Sequence, residues 1–477
     1  MRFYTNVFRR GRNLLVRGYN NGTRFETKVP YKPKLFIPSS EGDWKTIYGQ
    51  PLKPVNFDSM KAAKEFTEKY ADISNFSTYG LNLYEYVYLH ENYSNEYDTT
   101  YIRTVNIDIE VASENGFPHP DIADQEVTAI TVKFKDESYV FGCGDFINSN
   151  PKVHYFKCVN EQQLLTRFVK LWKDFDPDIV TGWNIEFFDI PYLHNRLINL
   201  FGEHAPKKLS PWGIINTRKT KIYNREQVSY ELMGISTLDY LNVYRKFTYA
   251  NQESYKLDHI AHIELDERKL DISEHATLHK LYINDYQKFI EYNIKDVDLV
   301  DRLEKKLKLI EMVLVLAYDA KVNYSDTFTQ VRMWDVLIHN RLYDQKIAIP
   351  QKEKTEKHEK YAGAYVQVPV PGMYDYVASF DLDGLYPHLI MGSNISPDTL
   401  IETGNIDITI GQIMEDSFKN TTSDVLAANG YYFKRDVRGF LPDMLEDMYN
   451  SRARAKVKML EAETELVEIE KKLSKYE

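Results

Sequence analysis

Two carboxylates on one short segment are the first residues of this chain whose types and spacing could do chemistry. The segment Thr104-Val-Asn-Ile-Asp108-Ile-Glu110-Val111 is typical of a β-strand. Because side chains alternate along a strand, Asp108 and Glu110 point to the same face. Paired carboxylates can bind a hard divalent cation, which prefers oxygen ligands. A half-buried strand that turns its polar residues outward gives the same pattern, so this segment alone leaves both interpretations open.

Two further acidic positions occur where local structure would hold them in place. In Gly182-Trp-Asn-Ile-Glu-Phe-Phe-Asp189, a strand leads through a turn into a helix, which puts Asp189 at the rim of a sheet. In Tyr292-Asn-Ile-Lys-Asp296, a tyrosine and an aspartate lie one helical turn apart on one face. Acids from three segments could therefore supply the oxygen ligands of divalent cations.

These three segments resemble, in residue types, order and approximate separation, the three motifs of the proofreading exonuclease of family B DNA polymerases. The resemblance implies a ribonuclease H-like domain in which Asp108, Glu110 and Asp296 hold one metal ion. Asp108 would bridge to a second ion, which Asp189 would reach directly or through water. Tyr292 would orient the attacking water. The implied cofactor is Mg²⁺, two ions per active site, with Mn²⁺ as an alternative.

The same resemblance implies that Asn184 and Phe188, on the turn before Asp189, contact DNA. Three acidic neighbours of the motifs, Glu186, Asp298 and Asp301, have no such role in this interpretation, and we expect them to be solvated.

A second motif lies downstream, where Tyr361-Ala-Gly363-Ala-Tyr is followed by Val377-Ala-Ser-Phe-Asp381-Leu-Asp-Gly-Leu-Tyr386-Pro-His-Leu-Ile390. This segment resembles the first palm motif of family B polymerases and is closely similar to that of the replicative enzymes of T-even-type bacteriophages. The resemblance extends over essentially the whole chain. It implies that Asp381, at the end of a buried strand, binds two catalytic magnesium ions. A buried strand that ends in an acidic turn would give the same local pattern.

The resemblance also implies nucleotide and template contacts in this region. The backbone of Leu382 to Leu385 would lie beside the incoming triphosphate, and Tyr386 would lie under its sugar and select deoxynucleotides. Tyr361 and Gly363 would contact the template backbone.

Two positions depart from the usual palm motif, since Gly384 and His388 stand where serines are common. A hydroxyl contact near the phosphates is lost and backbone freedom is gained, so we expect an effect on catalytic efficiency rather than on the metal aspartate. Further along, Arg452 and Lys456 align with the start of the fingers and would present two cations to the triphosphate, one helical turn apart. A solvated basic helix face is the alternative for that stretch.

The sequence contains neither the second palm motif, Tyr-Gly-Asp-Thr-Asp, nor the fingers motif, Lys-x-x-x-Asn-Ser-x-Tyr-Gly. One aspartate cannot fix both catalytic cations, so we expect this polypeptide alone not to polymerise. It could be half of a split enzyme, a truncated chain or a degenerate remnant. The helix expected from Leu441 onward has an apolar stripe that needs a partner helix, and this favours the first two explanations.

The leading hypothesis is a DNA-directed DNA polymerase with 3′ to 5′ exonuclease that needs a carboxy-terminal chain carrying the missing motif. Its other expected partners are primer-template DNA, single-stranded DNA and dNTPs, with a sliding clamp and other replisome proteins as further candidates. A free-standing single-strand exonuclease and a non-catalytic nucleic-acid-binding subunit remain alternatives.

The strands and helices indicated by the sequence around these motifs predict a multidomain chain of α/β and α+β class. Strands alternate with helices across the exonuclease motifs, and a hairpin is expected around Asn224-Arg225. We expect five segments, whose boundaries are 1–102 for an amino-terminal domain, 103–309 for the exonuclease domain, 310–352 for a return segment to the amino-terminal domain, 353–438 for a partial palm and 439–477 for the start of the fingers.

The final stretch from Leu441 is helix-favouring and carries an apolar stripe with the spacing of a helix that packs on another helix. No glycine or proline closes the pattern, so we expect an antiparallel partner helix. The stripe consists of Met459, Ala462, Leu466, Ile469, Leu473 and Tyr476.

Composition limits the class of protein. The chain of 477 residues is 27% charged and 43% apolar, which predicts a folded, water-soluble protein of several domains. The net charge of −10 argues against bulk attraction to nucleic acid but allows a local basic groove. Cys143 and Cys158 are the only cysteines, which fits a reducing compartment. The resemblance to bacteriophage enzymes implies that this compartment is the cytoplasm of an infected bacterial cell. No apolar run approaches the roughly 18 to 20 residues that span a bilayer, so no membrane partner is expected.

Overall fold

The computed structural model describes the chain except residues 72, 74–75, 115, 223–224, 276, 352–367, 383, 416, 418–419, 421 and 475–477. The chain divides into two compact units. The larger unit comprises residues 1–44 and 51–351, and the smaller unit comprises residues 45–50 and 352–477. The mixed, multidomain α/β class predicted from the sequence is confirmed.

The amino-terminal part of the larger unit is a small α+β module. Strands β1 to β3 form one antiparallel sheet, and β4 pairs with β6 in another. Helix α1 begins after Ser59, whose side chain accepts a hydrogen bond from the Ala62 N–H as an N-cap. The elements are β1 (Arg2–Arg10), β2 (Asn13–Asn20), β3 (Thr23–Pro30), β4 (Lys34–Pro38), β5 (Trp44–Lys45), β6 (Pro51–Asn56), α1 (Met60–Tyr70) and α2 (Tyr84–Asn92).

A six-stranded mixed sheet forms the centre of the larger unit, in the order β10-β9-β8-β7-β11-β14. Strand β7 pairs antiparallel with β8 and parallel with β11. Apolar clusters lie on both faces of this sheet, so its central strands are buried on both sides. The elements are β7 (Thr104–Val111), β8 (Val127–Phe134), β9 (Glu137–Gly142), β10 (Val153–Lys157), α3 (Glu161–Phe175), β11 (Ile179–Gly182), α4 (Asp189–Phe201), β12 (Ile215–Ile222), β13 (Arg225–Leu232) and β14 (Ser236–Asp239).

The hairpin expected around residue 224 forms from β12 and β13, paired in register from Ile215↔Leu232 to Ile222↔Arg225. Its two turn residues lie outside the described part of the chain. Strand β7 lies where the sequence pattern predicts it.

Helices follow the sheet to the end of the larger unit. Helix α8 begins after the N-cap Asp285 and ends where Lys308 adopts a left-handed conformation, and α9 begins directly afterwards. The elements are α5 (Tyr240–Phe247), α6 (Leu257–Leu265), α7 (Leu278–Asn284), α8 (Tyr286–Leu307), α9 (Leu309–Ala320) and α10 (Gln330–Asp344). Tyr4 on β1 donates a hydrogen bond to the Val322 carbonyl (2.9 Å), which ties the end of this helical region to the amino-terminal module.

The smaller unit contains short strands and one long helix. Its elements are α11 (Leu385–Gly392), β15 (Leu400–Ile401), α12 (Ile410–Met414), β16 (Val425–Leu426), β17 (Tyr432–Phe433) and α13 (Phe440–Leu473). Helix α13 has 34 residues and is about 50 Å long at 1.5 Å per residue. Among the described residues, no helix combines the length and apolar content needed to cross a bilayer. The five domain boundaries stay predictions.

Candidate functional site

Strand β7 carries the first pair of acids. Asp108 lies directly opposite Thr131 of β8 and Glu110 lies opposite Ala129, so both acids project from the face that α8 covers. Glu110 is buried, whereas Asp108 stays partly accessible.

Helix α8 brings the third acid to this pair. Asp296 is buried on the inner face of the helix. One carboxylate oxygen from each of Asp108, Glu110 and Asp296 lies within 4.8 Å of the others. We call these three residues the carboxylate cluster. Strand alternation and helix spacing, each visible in the sequence, therefore bring the three acids together in space.

Asp189 is the first residue of α4 and lies beside the carboxylate cluster, not within its 4.8 Å group. Its Oδ1 accepts a hydrogen bond from the Ile109 N–H (3.0 Å). The preceding turn depends on Gly182, because a Cβ there would come within 2.3 Å of the Ile107 carbonyl oxygen. Asp239 holds the turn from the other side by accepting backbone N–H bonds from Asn184 (3.0 Å) and Glu186 (2.9 Å).

Lys269, which sequence reasoning missed, is the basic residue of the site. Its Nζ donates to Asp296 Oδ2 (2.5 Å) and to the Tyr292 hydroxyl (3.1 Å). The residue lies in an irregular segment after α6, far in sequence from its partners. No periodic pattern marks it.

Asn293 was also missed. Its side chain is fully buried, and its Nδ2 donates to Asp108 Oδ2 (2.6 Å) while its Oδ1 accepts from the Thr131 hydroxyl. A signal for Asn293 exists in the sequence, because the buried stripe of α8 is apolar except where Asn293 and Asp296 interrupt it.

Burial and mutual repulsion dominate the electrostatics of the site. Burial, then the charges of Asp296 and Asp189, raise the pKa of Glu110 to about 8, although Lys269 and Asn293 oppose the rise. Burial raises the pKa of Asp189 to about 7. Burial followed by the charge of Glu110 raises the pKa of Asp108 well above its usual value. Without added positive charge, the acids therefore tend to keep protons.

Asp296 and its basic partner complete this picture. Burial raises the pKa of Asp296 even though Lys269 opposes the change. Burial alone would lower the pKa of Lys269, but the charge of Asp296 reverses that effect and raises it. Burial, followed by the charge of Asp296, raises the pKa of Tyr292 to about 12, so its hydroxyl keeps its proton near neutral pH.

The donor set fits a divalent cation. Asp296 Oδ1 is buried and has no hydrogen-bond partner within the described residues, which is costly for a carboxylate oxygen unless an ion completes it. All the offered ligand atoms are carboxylate oxygens, the type that Mg²⁺ and Mn²⁺ prefer.

Aromatic side chains lie near the entrance of the turn before Asp189. The ring of Phe188 lies 5.9 Å from that of Phe117 and 5.8 Å from that of Tyr192. Phe117 is 70% exposed, and its position was not anticipated. Asn184 is exposed, in a left-handed conformation with φ of 66°.

The expectation that the neighbouring acids are solvated is wrong for Glu186 and Asp301, whereas the Asp298 side chain is 40% exposed. Glu186 is partly buried and accepts a hydrogen bond from Asn242 (2.9 Å). Asp298 and Asp301 form ion pairs with the buried Lys133, at 2.8 and 2.7 Å. No sequence pattern identifies Lys133 as their partner, because Lys133 lies on a different element, β8.

The palm segment in the smaller unit has different surroundings. Asp381 is exposed, and residues 377–382 form no strand and leave Phe380 92% exposed. The prediction of a buried strand before Asp381 is therefore wrong, because a strand needs paired neighbours, and none pairs with this segment within the described residues. Leu382, Leu385 and Tyr386 are also exposed.

Of the other residues predicted to contact nucleotide or template, the structure describes some and not others. Arg452 and Lys456 lie one turn apart on α13, exposed, as their spacing predicts. Gly384 has φ of +62° at the start of α11, a conformation that glycine adopts more easily than serine. Tyr361 and Gly363 lie outside the described residues.

Comparison with known protein families gives two matches. Residues 64–260 match the exonuclease domain of DNA polymerase family B, and residues 323–473 match DNA polymerase family B. The first match contains Asp108, Glu110 and Asp189, and Asp296 lies between the two. Together the matches cover more than half of the chain.

Individual relatives agree with these matches. A DNA-directed DNA polymerase of Escherichia phage RB69 is 34% identical over 97% of this chain and 54% of its own length. The DNA-directed DNA polymerase of Enterobacteria phage T4 is 31% identical over 99% of this chain and 56% of its own length. The DNA polymerase delta catalytic subunit of Caenorhabditis elegans is 28% identical over 74% of this chain and 33% of its own length. The chain spans about half the length of the two phage relatives.

Proposed function

The chain belongs to DNA polymerase family B, and on that premise we propose that it is a metal-dependent exonuclease that removes nucleotides from the 3′ ends of DNA. The observation that carries this proposal is the carboxylate cluster, in which oxygens of three acids from β7 and α8 lie within 4.8 Å of one another. One of them, Asp296, also has a buried oxygen without a hydrogen-bond partner among the described residues. Buried acids so close together are costly without a cation, so their convergence favours a binding site.

Asp108, Glu110 and Asp296 would hold the first Mg²⁺ or Mn²⁺ ion, and Asp108 with Asp189 would hold the second. Ions bound there would stabilise the negative charge that develops on the phosphodiester. Asp189 already has one oxygen occupied by the Ile109 N–H, which fixes its orientation beside the carboxylate cluster.

Tyr292 would orient the attacking water through its hydroxyl. The hydroxyl oxygen accepts a hydrogen bond from Lys269, so its own hydrogen can be donated into the site. Because its pKa is raised to about 12, Tyr292 acts as a hydrogen-bond donor and not as a base near neutral pH.

The DNA end would lie against the aromatic pair Phe117 and Phe188, whose rings lie 5.9 Å apart. Exposed rings suit stacking of unpaired bases, which is tolerant of sequence. Asn184, on the same turn as Phe188, would contact the nucleotide backbone.

The test is digestion of a 5′-labelled single-stranded oligonucleotide by the purified chain with Mg²⁺. We expect stepwise loss of 3′ nucleotides, abolished by Asp108→Ala. Glu291→Gln is a matched control, because Glu291 lies on α8 but is exposed. An intact substrate with the wild-type chain would refute the exonuclease proposal and leave a DNA-binding subunit as the alternative.

We further propose that the chain contributes Asp381 to a DNA polymerase whose second palm motif is on a carboxy-terminal polypeptide. The exposed apolar stripe of α13, with Met459 and Leu466 about half exposed, would pack against a helix of that partner. Leu382, Leu385, Tyr386, Arg452 and Lys456 would then line the dNTP site, and Tyr361 and Gly363 would contact template. The cytoplasm of an infected bacterial cell is the proposed location.

Primer extension separates this proposal from a free-standing exonuclease. Extension should fail with the chain alone and begin when a polypeptide carrying the second palm motif is added. Extension by the chain alone would overturn the requirement for a partner, and failure of the mixture would favour the free-standing exonuclease.

The hairpin formed by β12 and β13 would help pass the primer strand between the two sites. Its base is anchored, since the Tyr230 ring stacks on His194 at 3.8 Å. Deleting only residues 219–227 would leave that anchor, and should slow digestion of a mismatched duplex but not of single-stranded DNA.

A further inference from the structure

We propose that Asn293, anchored by Thr131, is a positioning residue that holds the Asp108 carboxylate in the orientation needed to bind Mg²⁺. This inference rests on the proposed exonuclease function and concerns residues that the motif resemblance did not include. Asn293 and Thr131 are both fully buried, on α8 and β8 respectively. Two elements packed against β7 therefore meet at Asp108.

The hydrogen bonds define which way the Asn293 amide faces. In the ionised form that would bind a cation, the Asp108 carboxylate can only accept, so the amide end that faces its Oδ2 at 2.6 Å must be the donor Nδ2. The carbonyl Oδ1 then faces the Thr131 hydroxyl, which is left to donate. Thr131 lies directly opposite Asp108 in the antiparallel register, and the Asn293 side chain bridges the two through these hydrogen bonds.

A neutral amide is suited to this position. The amide donates a hydrogen bond to one oxygen of Asp108 without adding positive charge, so the negative charge of the carboxylate stays available to attract a cation. The opposite case is Asp296, where Lys269 supplies a full positive charge at 2.5 Å. Asp108 is thus held by the dipole of the Asn293 amide. Asp296 is held by the Lys269 ammonium, with which a bound ion would compete for the carboxylate.

The orientation should matter more for Mg²⁺ than for Ca²⁺. Mg²⁺ demands nearly ideal octahedral geometry, whereas Ca²⁺ accepts variable geometry and ligand number. A loosened Asp108 would therefore cost Mg²⁺ affinity first. Outer partners of metal ligands contribute roughly 10- to 100-fold to metal affinity.

The experiment measures Mg²⁺ and Ca²⁺ binding to the full chain by isothermal titration calorimetry, with thermal unfolding recorded in parallel. Thr131→Val removes the hydroxyl at nearly constant volume, and Thr131→Ser keeps it as the matched control. Asn293→Ala removes the amide. We expect Thr131→Val and Asn293→Ala to weaken Mg²⁺ binding roughly 10- to 100-fold, with a smaller loss for Ca²⁺, and Thr131→Ser to bind as the wild type does.

The outcomes distinguish this inference from the proposed function. If the wild-type chain binds Mg²⁺ and degrades DNA, but Thr131→Val leaves the ratio of Mg²⁺ to Ca²⁺ affinity unchanged, the positioning role is refuted and the exonuclease proposal stands. If the wild-type chain binds neither cation and leaves DNA intact, both fall. Should Asn293→Ala not fold, the Val and Ser variants of Thr131 decide the question.

Discussion

Asp108 and Asp381 are both predicted metal ligands, yet the structure gives them opposite surroundings. Asp108 lies on a central strand, accepts a hydrogen bond from the buried Asn293 side chain and lies close to Glu110 and Asp296. Asp381 lies on an exposed segment without strand pairing among the described residues of the smaller unit. The difference teaches that a cation site is made by the neighbours that crowd and orient an acid, not by the acid alone.

The two regions also differ in what their own residues already provide. In the larger unit, Lys269 partly neutralises the carboxylate cluster and β7, β8 and α8 fix its geometry. In the smaller unit, neighbouring apolar side chains such as Phe380 remain in contact with water. We therefore expect the larger unit to bind cations in the isolated chain and the region of Asp381 to bind them only weakly.

The sharpest test of this comparison is removal of one acid from each region. Asp296→Ala should lower exonuclease activity by more than about 100-fold, because even outer partners of a metal contribute roughly 10- to 100-fold. It should also reduce the amount of bound Mg²⁺, whereas Asp381→Ala should leave that amount as it is. Exonuclease rates and equilibrium dialysis of Mg²⁺ would check this, and loss of bound Mg²⁺ in Asp381→Ala would break the comparison.

A second prediction concerns the positive charge inside the carboxylate cluster. Lys269→Met should lower the free energy of unfolding by roughly 2 to 3 kcal/mol without Mg²⁺, less than for a fully buried pair because the Lys269 side chain is 27% exposed. Added Mg²⁺ should restore more stability to the variant than to the wild type, since the ion replaces the lost charge. Urea unfolding with EDTA or Mg²⁺ measures both. Equal effects of Mg²⁺ on the two proteins would show that the ion does not take the place of the Lys269 charge.

A third prediction tests whether the buried side chain of His339 is shielded from water. Burial lowers the pKa of His339 to about 4, from 6.5. The unfolded chain therefore binds the proton more readily, so the stability linked to this residue is complete above pH 6.5 and is lost as the pH falls toward 4. His339→Asn should flatten the stability profile between these values, measured by urea unfolding at each pH. Parallel profiles for the two proteins would show that His339 is hydrated.

The smallest expected effect is in the smaller unit. Gly384→Ala should destabilise α11 by about 1 kcal/mol, because φ of +62° is unfavourable for a residue with a Cβ. Gly392→Ala is the matched control, since it has no positive φ and nothing within 4 Å of its added Cβ. Amide hydrogen exchange of α11 reports the difference. Equal protection in the two variants would mean that the left-handed turn is not maintained in solution.

Local periods placed three of the acids of the larger unit on defined faces, but their role as metal ligands was implied only by the resemblance to the polymerase motifs. Asp108 and Glu110 follow the alternation of a strand, and Tyr292 and Asp296 follow the turn of a helix. Lys269 could not be found in this way, because it reaches the site from an irregular segment. Asn293 could have been found, since it is a polar residue within the buried stripe of α8.

The error at Asp381 has a different cause. Val377, Phe380 and Leu382 are apolar enough to suggest a buried strand, but hydrogen-bonded neighbours stabilise strands, and local composition does not reveal whether they exist. Pairing partners far along a chain are invisible to periodicity. The same limit hid Lys133 as the partner of Asp298 and Asp301.

Helix α8 places Tyr292, Asn293 and Asp296 in the site, and its two halves are embedded in different apolar cores. Phe289 and Ile290 pack beneath the sheet, whereas Leu299 and Leu303 pack with the amino-terminal module. A rigid rod fixed at both ends cannot shift at one end alone, and a displacement of about 1 Å can cost on the order of 100-fold in rate. The proposed exonuclease site therefore depends on the amino-terminal module: deleting residues 1–100 would remove packing partners of Leu299 and Leu303 and should displace the acids and the tyrosine at the other end of the helix.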